Sequence, residues 1–436
     1  MKKILILAYD FPPLTTAGAA RPFSWYKNAK KFGYYPIVVA RKWPNSINQL
    51  TDRFIATADE SGYESQVTEF GTIYTVNHLP SIKERMMLKY GSDKLTLIRK
   101  FISVIELIGR FNFSWLDDKN EMNKVFQQIA SIEKPAIIIA TGEPHILFTY
   151  CKKYNKRSKT PYVIDYRDGW HTNHKKEKRN LLSRIITKIE LKQEVGALNN
   201  ALFFTSVIPQ LVDTIRNKIL PKDGYVIPNS VDIDMYNELN IAIDKKKFRL
   251  VNTGTIYDFE YIDIFEAGIE KFITENNPTD FEVHFYGLDI NPNNSVEKLK
   301  ALAKKFPQHI FLNERKSKSE IIKIQKEATL LLNLIPGSHE KGIIAMKTYE
   351  YLAAKRPIIV IPSEPSKKTP IFPEKKYLTF ALTSDEVCDV VKDFYTRYKN
   401  GDDLNLPITE EELYSISNEH AAKILFQKLD EQLNLQ

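Results

Sequence analysis

Lys347 and Glu350 lie three positions apart in residues 339–362, HEKGIIAMKTYEYLAAKRPIIVIP. A helix starting near Ala345 turns both side chains to the same side of its first turns. The unpaired N–H groups and positive dipole end of such a helix attract an anion. Lys347 there suits a phosphate, and the Glu350 carboxylate suits a pair of ribose hydroxyls. Gly342, in the loop just before, lets backbone amides approach a ligand closely. Two further groups follow apolar strands, at the strand ends where open α/β sheets hold ligands. One is Glu143 and His145 in IIIATGEPH, and the other is Asp165, Arg167, Asp168 and Trp170 in YVIDYRDGW. Two carboxylates and a guanidinium so placed either bind a polyol or hold each other in an ion-pair network. On residue type alone, Lys347 and Glu350 also read as the surface of an amphipathic helix, and His145 as a turn or capping residue.

The elements that carry these residues read as alternating strands and helices. KILILAYDFPPLTTAGAARPFSWYKNAKKFGYYPIVV is strand, proline-rich loop, a helix beginning near Gly18, and strand, without a G-x-G-x-x-G. Residues 52–120 are the least patterned. Leu97, Phe101, Val104, Ile105 and Ile108 recur there at helical spacing and predict a helix with one buried face. From residue 249 the alternation is regular: RLVNTG, DIFEAGIEKFI, FEVHFYG, VEKLKALAKKF, HIFLN, SEIIKIQKEA and LLLNLI, the βαβ repeat of a doubly wound parallel sheet. Gly254 and Thr255 end the first of these strands and Gly287 ends the second. The last stretch, ITEEELYSISNEHAAKILFQKLDEQL, reads as amphipathic helix.

The 436 residues are enough for two domains, and 43% hydrophobic with 27% charged residues describes a globular chain. Cys151 and Cys388 have no paired spacing, so neither a disulfide framework nor a zinc site is expected, which favours a reducing compartment. The opening apolar run is too short and its proline pair too early for a signal peptide, and no run reaches the length of a membrane span. Residues 1–231 carry 35 Lys and Arg against 21 Asp and Glu, or +14, leaving 27 against 33, or −6, for the rest. The basic half invites a polyanion: nucleic acid, an anionic membrane surface or a phosphate-bearing acceptor. The positive charge is densest in CKKYNKRSK and KKEKRNLLSRIITKIELKQEV, the latter with Leu182, Ile185, Ile186 and Ile189 on one face. No nucleic-acid reading module is present and the second half is acidic, so nucleic acid is not expected.

KTYEYLAAKRPIIVIP resembles the donor-nucleotide motif of the retaining GT-B glycosyltransferases of family 4. The resemblance runs from DFPP, with Gly18 at the glycine of the first loop, through D-x-R-D-x-W at Asp165, Arg167, Asp168 and Trp170, to VIPNSVDI and NTGTIYD. In that family two glutamates with seven residues between them mark the motif; Glu350 matches the second, and Gly342 stands at the first. Ser230 replaces a glycine in VIPNSVDI, and an arginine common after the NTG loop is missing.

The resemblance implies a GT-B fold: two Rossmann-like domains facing across an interdomain cleft. Residues 1–231 form the acceptor side, 232–247 a linker, 248–405 the donor side, and 406–436 a helix crossing back to the first domain. It implies retaining transfer of a hexose from a nucleotide-diphosphate sugar to a saccharide or lipid-linked saccharide acceptor, in the assembly of bacterial surface polysaccharide, with no cofactor or metal required. Gly18, Gly254, Thr255, Gly342, Lys347 and Glu350 would hold the donor, with Arg21 the nearest cation to the first loop. His145 and Asp168 would serve catalysis, and Glu143, Asp165 and Arg167 the acceptor. The expected location is cytoplasmic, peripheral on the inner face of the membrane. The competing readings are a GT-B nucleotide-sugar epimerase or hydrolase and, from another class, a basic nucleic-acid-binding protein.

Overall fold

A computed structural model describes residues 1–45, 47, 50–91, 94–111, 113, 117–171, 181–256, 261–287, 293–335, 346–361 and 377–435. They form two compact units, Met1–Pro228 with Ala421–Gln436, and Asn229–His420. The sequence reading places the boundary at 231 and a linker beyond it. In the structure, residues 229–247 belong to the second unit, including a short helix, Ile233–Asn237.

The first unit is built on eight strands: β1 Lys2–Ala8, β2 Tyr34–Arg41, β3 Tyr63–Val67, β4 Thr72–Val76, β5 Ile137–Gly142, β6 Tyr162–Tyr166, β7 Phe204–Ser206 and β8 Gly224–Val226. Their order is β3-β4-β2-β1-β5-β6-β7-β8, with only the β3/β4 pair antiparallel. The central β1, where Ile6 faces Val38 on one side and Ile139 on the other, is apolar along nearly all its length because helices cover both faces of the sheet. From β1 the chain builds outward one way and from β5 the other, so the topological switch falls between them. The helix Asn418–Asn434 returns to this unit. It buries Ala421, Ala422, Leu425, Phe426 and Leu429, and Phe426 stacks on Phe32 and Tyr34 at centroid distances of 5.5 and 5.1 Å.

The second unit has six parallel strands: β9 Phe248–Thr253, β10 Phe281–Tyr286, β11 Ile310–Asn313, β12 Leu330–Leu334, β13 Ile358–Ile361 and β14 Leu378–Phe380. The order β11-β10-β9-β12-β13-β14 puts its switch between β9 and β12. Helix starts are chemically marked. Ser317 with Glu320 and Thr383 with Glu386 make capping boxes at Lys318–Glu327 and Ser384–Asn400.

One expectation fails in the unpatterned stretch. The helix Thr96–Gly109 forms, but Leu97, Phe101 and Ile105 stand open to solvent. The side turned inward carries Glu106, which is buried and meets Lys83 Nζ at 3.2 Å. Of the basic amphipathic segment, the helix Leu181–Asn200 is described. Residues 172–180 and the side chain of Leu182 lie outside the described residues.

Candidate functional site

At the switch point of the second unit, the helix Met346–Ala353 follows β12 and carries Lys347 and Glu350. Its buried side is tied to both switch strands. Asn333 of β12 donates to the Thr348 hydroxyl at 2.8 Å, and the Thr253 backbone N–H of β9 donates to the Tyr351 hydroxyl at 2.9 Å. Glu350 is partly covered. One carboxylate oxygen accepts from Lys318 Nζ, and the other lies 3.5 Å from Gln325 Nε2. Gln325 is itself held by Thr253 Oγ1 at 2.9 Å and the Tyr236 hydroxyl at 2.7 Å, so Glu350 is oriented by a buried network rather than left to rotate. Burial pulls the Lys347 ammonium down to about 8, against the opposing pull of Glu350. Gly342 lies outside the described residues.

Beside this helix, β9 and β10 both end in left-handed turns, Gly254 at φ +95° and Gly287 at φ +92°. The turns nest together: the Gly254 N–H donates to the Tyr286 carbonyl at 2.9 Å, and a Cβ on Gly287 would stand 3.4 Å from the Gly254 carbonyl carbon. Among the described residues nothing lies within 4 Å of where a Gly254 Cβ would be, so they leave this turn open, with Thr255 partly covered next to it. Asn252 and Asn333 are fully buried, and each has a side-chain oxygen without a hydrogen-bond partner among the described residues. They, Lys318 and Gln325 are the residues that reading by sequence missed. The signal for Asn333 was an amide inside an otherwise apolar strand; Asn252, Lys318 and Gln325 carried none.

At the switch point of the first unit the structure separates residues that the sequence groups. Asp165 is fully buried and faces Arg21, not Arg167. Arg21 donates to its carboxylate at 2.7 and 2.9 Å, and Thr141 and Thr205 add hydroxyl bonds at 2.9 and 2.6 Å. Arg21 also donates to the Pro228 carbonyl at 3.0 Å, so the cation expected beside the first loop is engaged in the core. A buried pair saturated in this way joins β5, β6, β7 and the helix Ala17–Asn28.

Arg167, Glu143, His145, Asp168 and Gly18 do come together. Arg167 donates to the Gly142 carbonyl and, at 3.0 Å, to that of Glu143, with Nη1 3.8 Å from Asp10 Oδ2. Its guanidinium fills the space above Gly18, where a Cβ would fall 1.8 Å from Nη1. The Asp10 carboxyl is pushed up by burial, while Arg167, Arg53 and Arg41 pull it back. Asp10 is the member that sequence reasoning passed over. His145 precedes the helix Ile146–Ser158, with Nε2 3.1 Å from the Asp168 carbonyl. A carbonyl only accepts, so that nitrogen carries the proton. The ring stacks on Trp170 at 5.4 Å and 8°. Glu143 and Asp168 are exposed at the edge of this group.

No protein-family model matches the chain, and no curated protein matches it in sequence. Solved structures do match. A sucrose-phosphate synthase from Thermosynechococcus elongatus superposes with a TM-score of 0.64 at 10% identity, covering 100% of both chains. The E. coli trehalose-6-phosphate structure bound with UDP-2-fluoro glucose gives 0.63 at 11% identity, over 98% of each chain. A putative UDP-N-acetylglucosamine 2-epimerase from Listeria monocytogenes gives 0.52 at 11% identity, over 100% of this chain and 97% of that one. With two parallel-sheet units and these neighbours, the chain has a GT-B-like fold.

Proposed function

We propose that this chain is a retaining glycosyltransferase that takes a hexose from a nucleotide-diphosphate sugar and passes it to a saccharide acceptor. The observation that carries the reading is the pairing of Lys347 with an oriented Glu350 at the strand end, beside the open turn of Gly254. Glu350 grips the ribose hydroxyls, and Lys347 with the Gly254–Thr255 turn meets the diphosphate as negative charge builds on the leaving group. The first unit takes the acceptor, with His145 and Asp168 close to the reacting hydroxyl and Arg167 and Glu143 lining its side. The acceptor is lipid-linked, the product enters surface polysaccharide, and the basic first unit works against an anionic membrane on the cytoplasmic side. Among the described residues no helix is long and apolar enough to cross a membrane.

The test is calorimetry of the full chain against UDP-, GDP- and dTDP-sugars, with Lys347→Ala and Glu350→Ala as probes. Each variant is expected to keep its melting temperature and to lose about 1.5–3 kcal/mol, roughly tenfold to a hundredfold in affinity, as charge-assisted hydrogen bonds are lost. Unchanged affinity in both removes the donor-site assignment. The likeness to the Listeria epimerase supports a second reading, epimerisation or hydrolysis of the nucleotide sugar. NMR of a donor incubated without acceptor separates the two: an epimerised sugar or free nucleotide favours the second.

A further inference from the structure

Ten of the nineteen exposed large apolar side chains in the described chain lie between Leu79 and Phe113, so solvent-facing apolar surface is gathered in one place rather than scattered. Its centre is the helix Thr96–Gly109, on which Leu97 is 79%, Phe101 66% and Ile105 40% exposed. These three are spaced four residues apart and form one stripe, with Ile98, 50% exposed, beside it. The helix Ile82–Tyr90 packs alongside and adds Ile82 and Leu88 to the open surface. The opposite side of the longer helix buries Glu106 against Lys83, so the amphipathic pattern points its apolar face at water.

Exposed charge around the stripe has one sign among the described residues. Arg85, Lys89, Lys94 and Lys100 are exposed. Among the described residues of this stretch no carboxylate is: Glu84 is turned in to cap its helix at Ser81, and Glu106 is buried. The helix Leu181–Asn200 packs against Thr96–Gly109 and continues the surface with exposed Arg184, Ile185 and Lys188. An apolar stripe rimmed by cations fits a lipid surface whose headgroups are anionic and whose acyl boundary is apolar. A second copy of the chain fits poorly, because a two-fold contact through this face would set like-charged rims against each other.

We propose that the paired helices Ile82–Tyr90 and Thr96–Gly109 dock the protein on an anionic lipid bilayer, with Leu97, Phe101 and Ile105 entering the acyl boundary and Lys89, Lys94 and Lys100 meeting the headgroups. The inference rests on the functional reading only for the class of partner. It gives that partner a face of its own, away from Lys347 and Glu350 in sequence and unit.

The experiment is sedimentation of the full chain with phosphatidylcholine vesicles, with and without an equal share of phosphatidylglycerol, at low and high salt. Binding is expected to the anionic vesicles alone and to be released by salt, since the attraction is screened over roughly 8–10 Å at physiological ionic strength. Leu97→Asn with Phe101→Asn should weaken it about tenfold or more, as should Lys89→Glu with Lys94→Glu and Lys100→Glu. Phe101→Trp reports insertion directly, by a blue shift when anionic vesicles are added. Wild-type protein left in the supernatant at low salt overturns the proposal, as does an asparagine double variant that sediments like wild type or a tryptophan whose emission does not move. A vesicle-free dimer dispersed by the same asparagines, or binding to DNA that survives high salt, overturns it in favour of that other partner. Nucleotide-sugar affinity, measured in parallel, stands or falls independently.

Discussion

A lysine whose proton is loosely held makes donor binding sensitive to pH in a range where few other groups titrate. Burial brings Lys347 to about 8, against an ordinary lysine above 10. At pH 7 it is charged and available to a diphosphate; as pH rises through 8 the free protein loses the charge and the ligand must restore it. Donor affinity is therefore expected to be flat below pH 7 and to fall by up to about tenfold per unit above 8. Titration calorimetry across pH 6.5–9.5 checks this, with Lys347→Met expected to bind weakly and without that slope. A wild-type affinity constant to pH 9.5 assigns the phosphate charge elsewhere. Glu350 belongs to the same argument. Its Lys318 partner means that a ribose competes with an existing ion pair, and the partly exposed lysine is the one that can swing away.

Among the elements, the turn that joins β9 to its following segment depends on backbone conformation more than on side-chain space. Gly254 has φ +95°, and among the described residues no atom lies within 4 Å of where its Cβ would be, so the dihedral is the main penalty on a valine there. Gly254→Val is expected to cost about 1–2 kcal/mol of stability and to weaken donor binding as the turn relaxes out of place. Urea unfolding and calorimetry measure the two. If neither moves, the turn is not the rigid rim assigned to it. The β9–β13 alternation was legible because each strand there is short, rich in apolar residues and closed by a glycine, a proline or a polar residue. The strands β3 and β4 were not, since YESQV and TIYTV lie toward an edge and bury little. The same limit hid the partners of the candidate residues. Asp165 and Arg21 meet across 144 positions, and Lys318 reaches Glu350 across 32, distances over which periodicity says nothing. The helix Thr96–Gly109 was legible as a helix but its orientation was not, because an apolar stripe carries no information about what covers it.

For the molecule as a whole, the division into units follows chain contacts more closely than charge or motif. The basic half by sequence is nearly the first unit, but that unit also claims residues 421–436 from the far end of the chain. Phe426 on Phe32 and Tyr34, and the 2.6 Å bond from the Tyr34 hydroxyl to Asp430, attach this terminal helix beside β2. Removal of residues 421–436 is expected to leave a chain whose first unit melts well below the full protein, while the second unit, which ends at His420, holds. Pulsed hydrogen exchange resolves the two; equal loss in both units contradicts the assignment.

That terminal helix also sets an order of events during synthesis. A ribosome delivers the strands of the first unit early, yet the residues that cover Tyr34 and Phe32 leave the exit tunnel only after those of the second unit. Until then the nascent first unit carries an uncovered apolar flank, and Asn229–His420 can close around its own six strands first. A chain stalled before residue 421 should bind a chaperone at that flank, and emergence of the helix Asn418–Asn434 should free it.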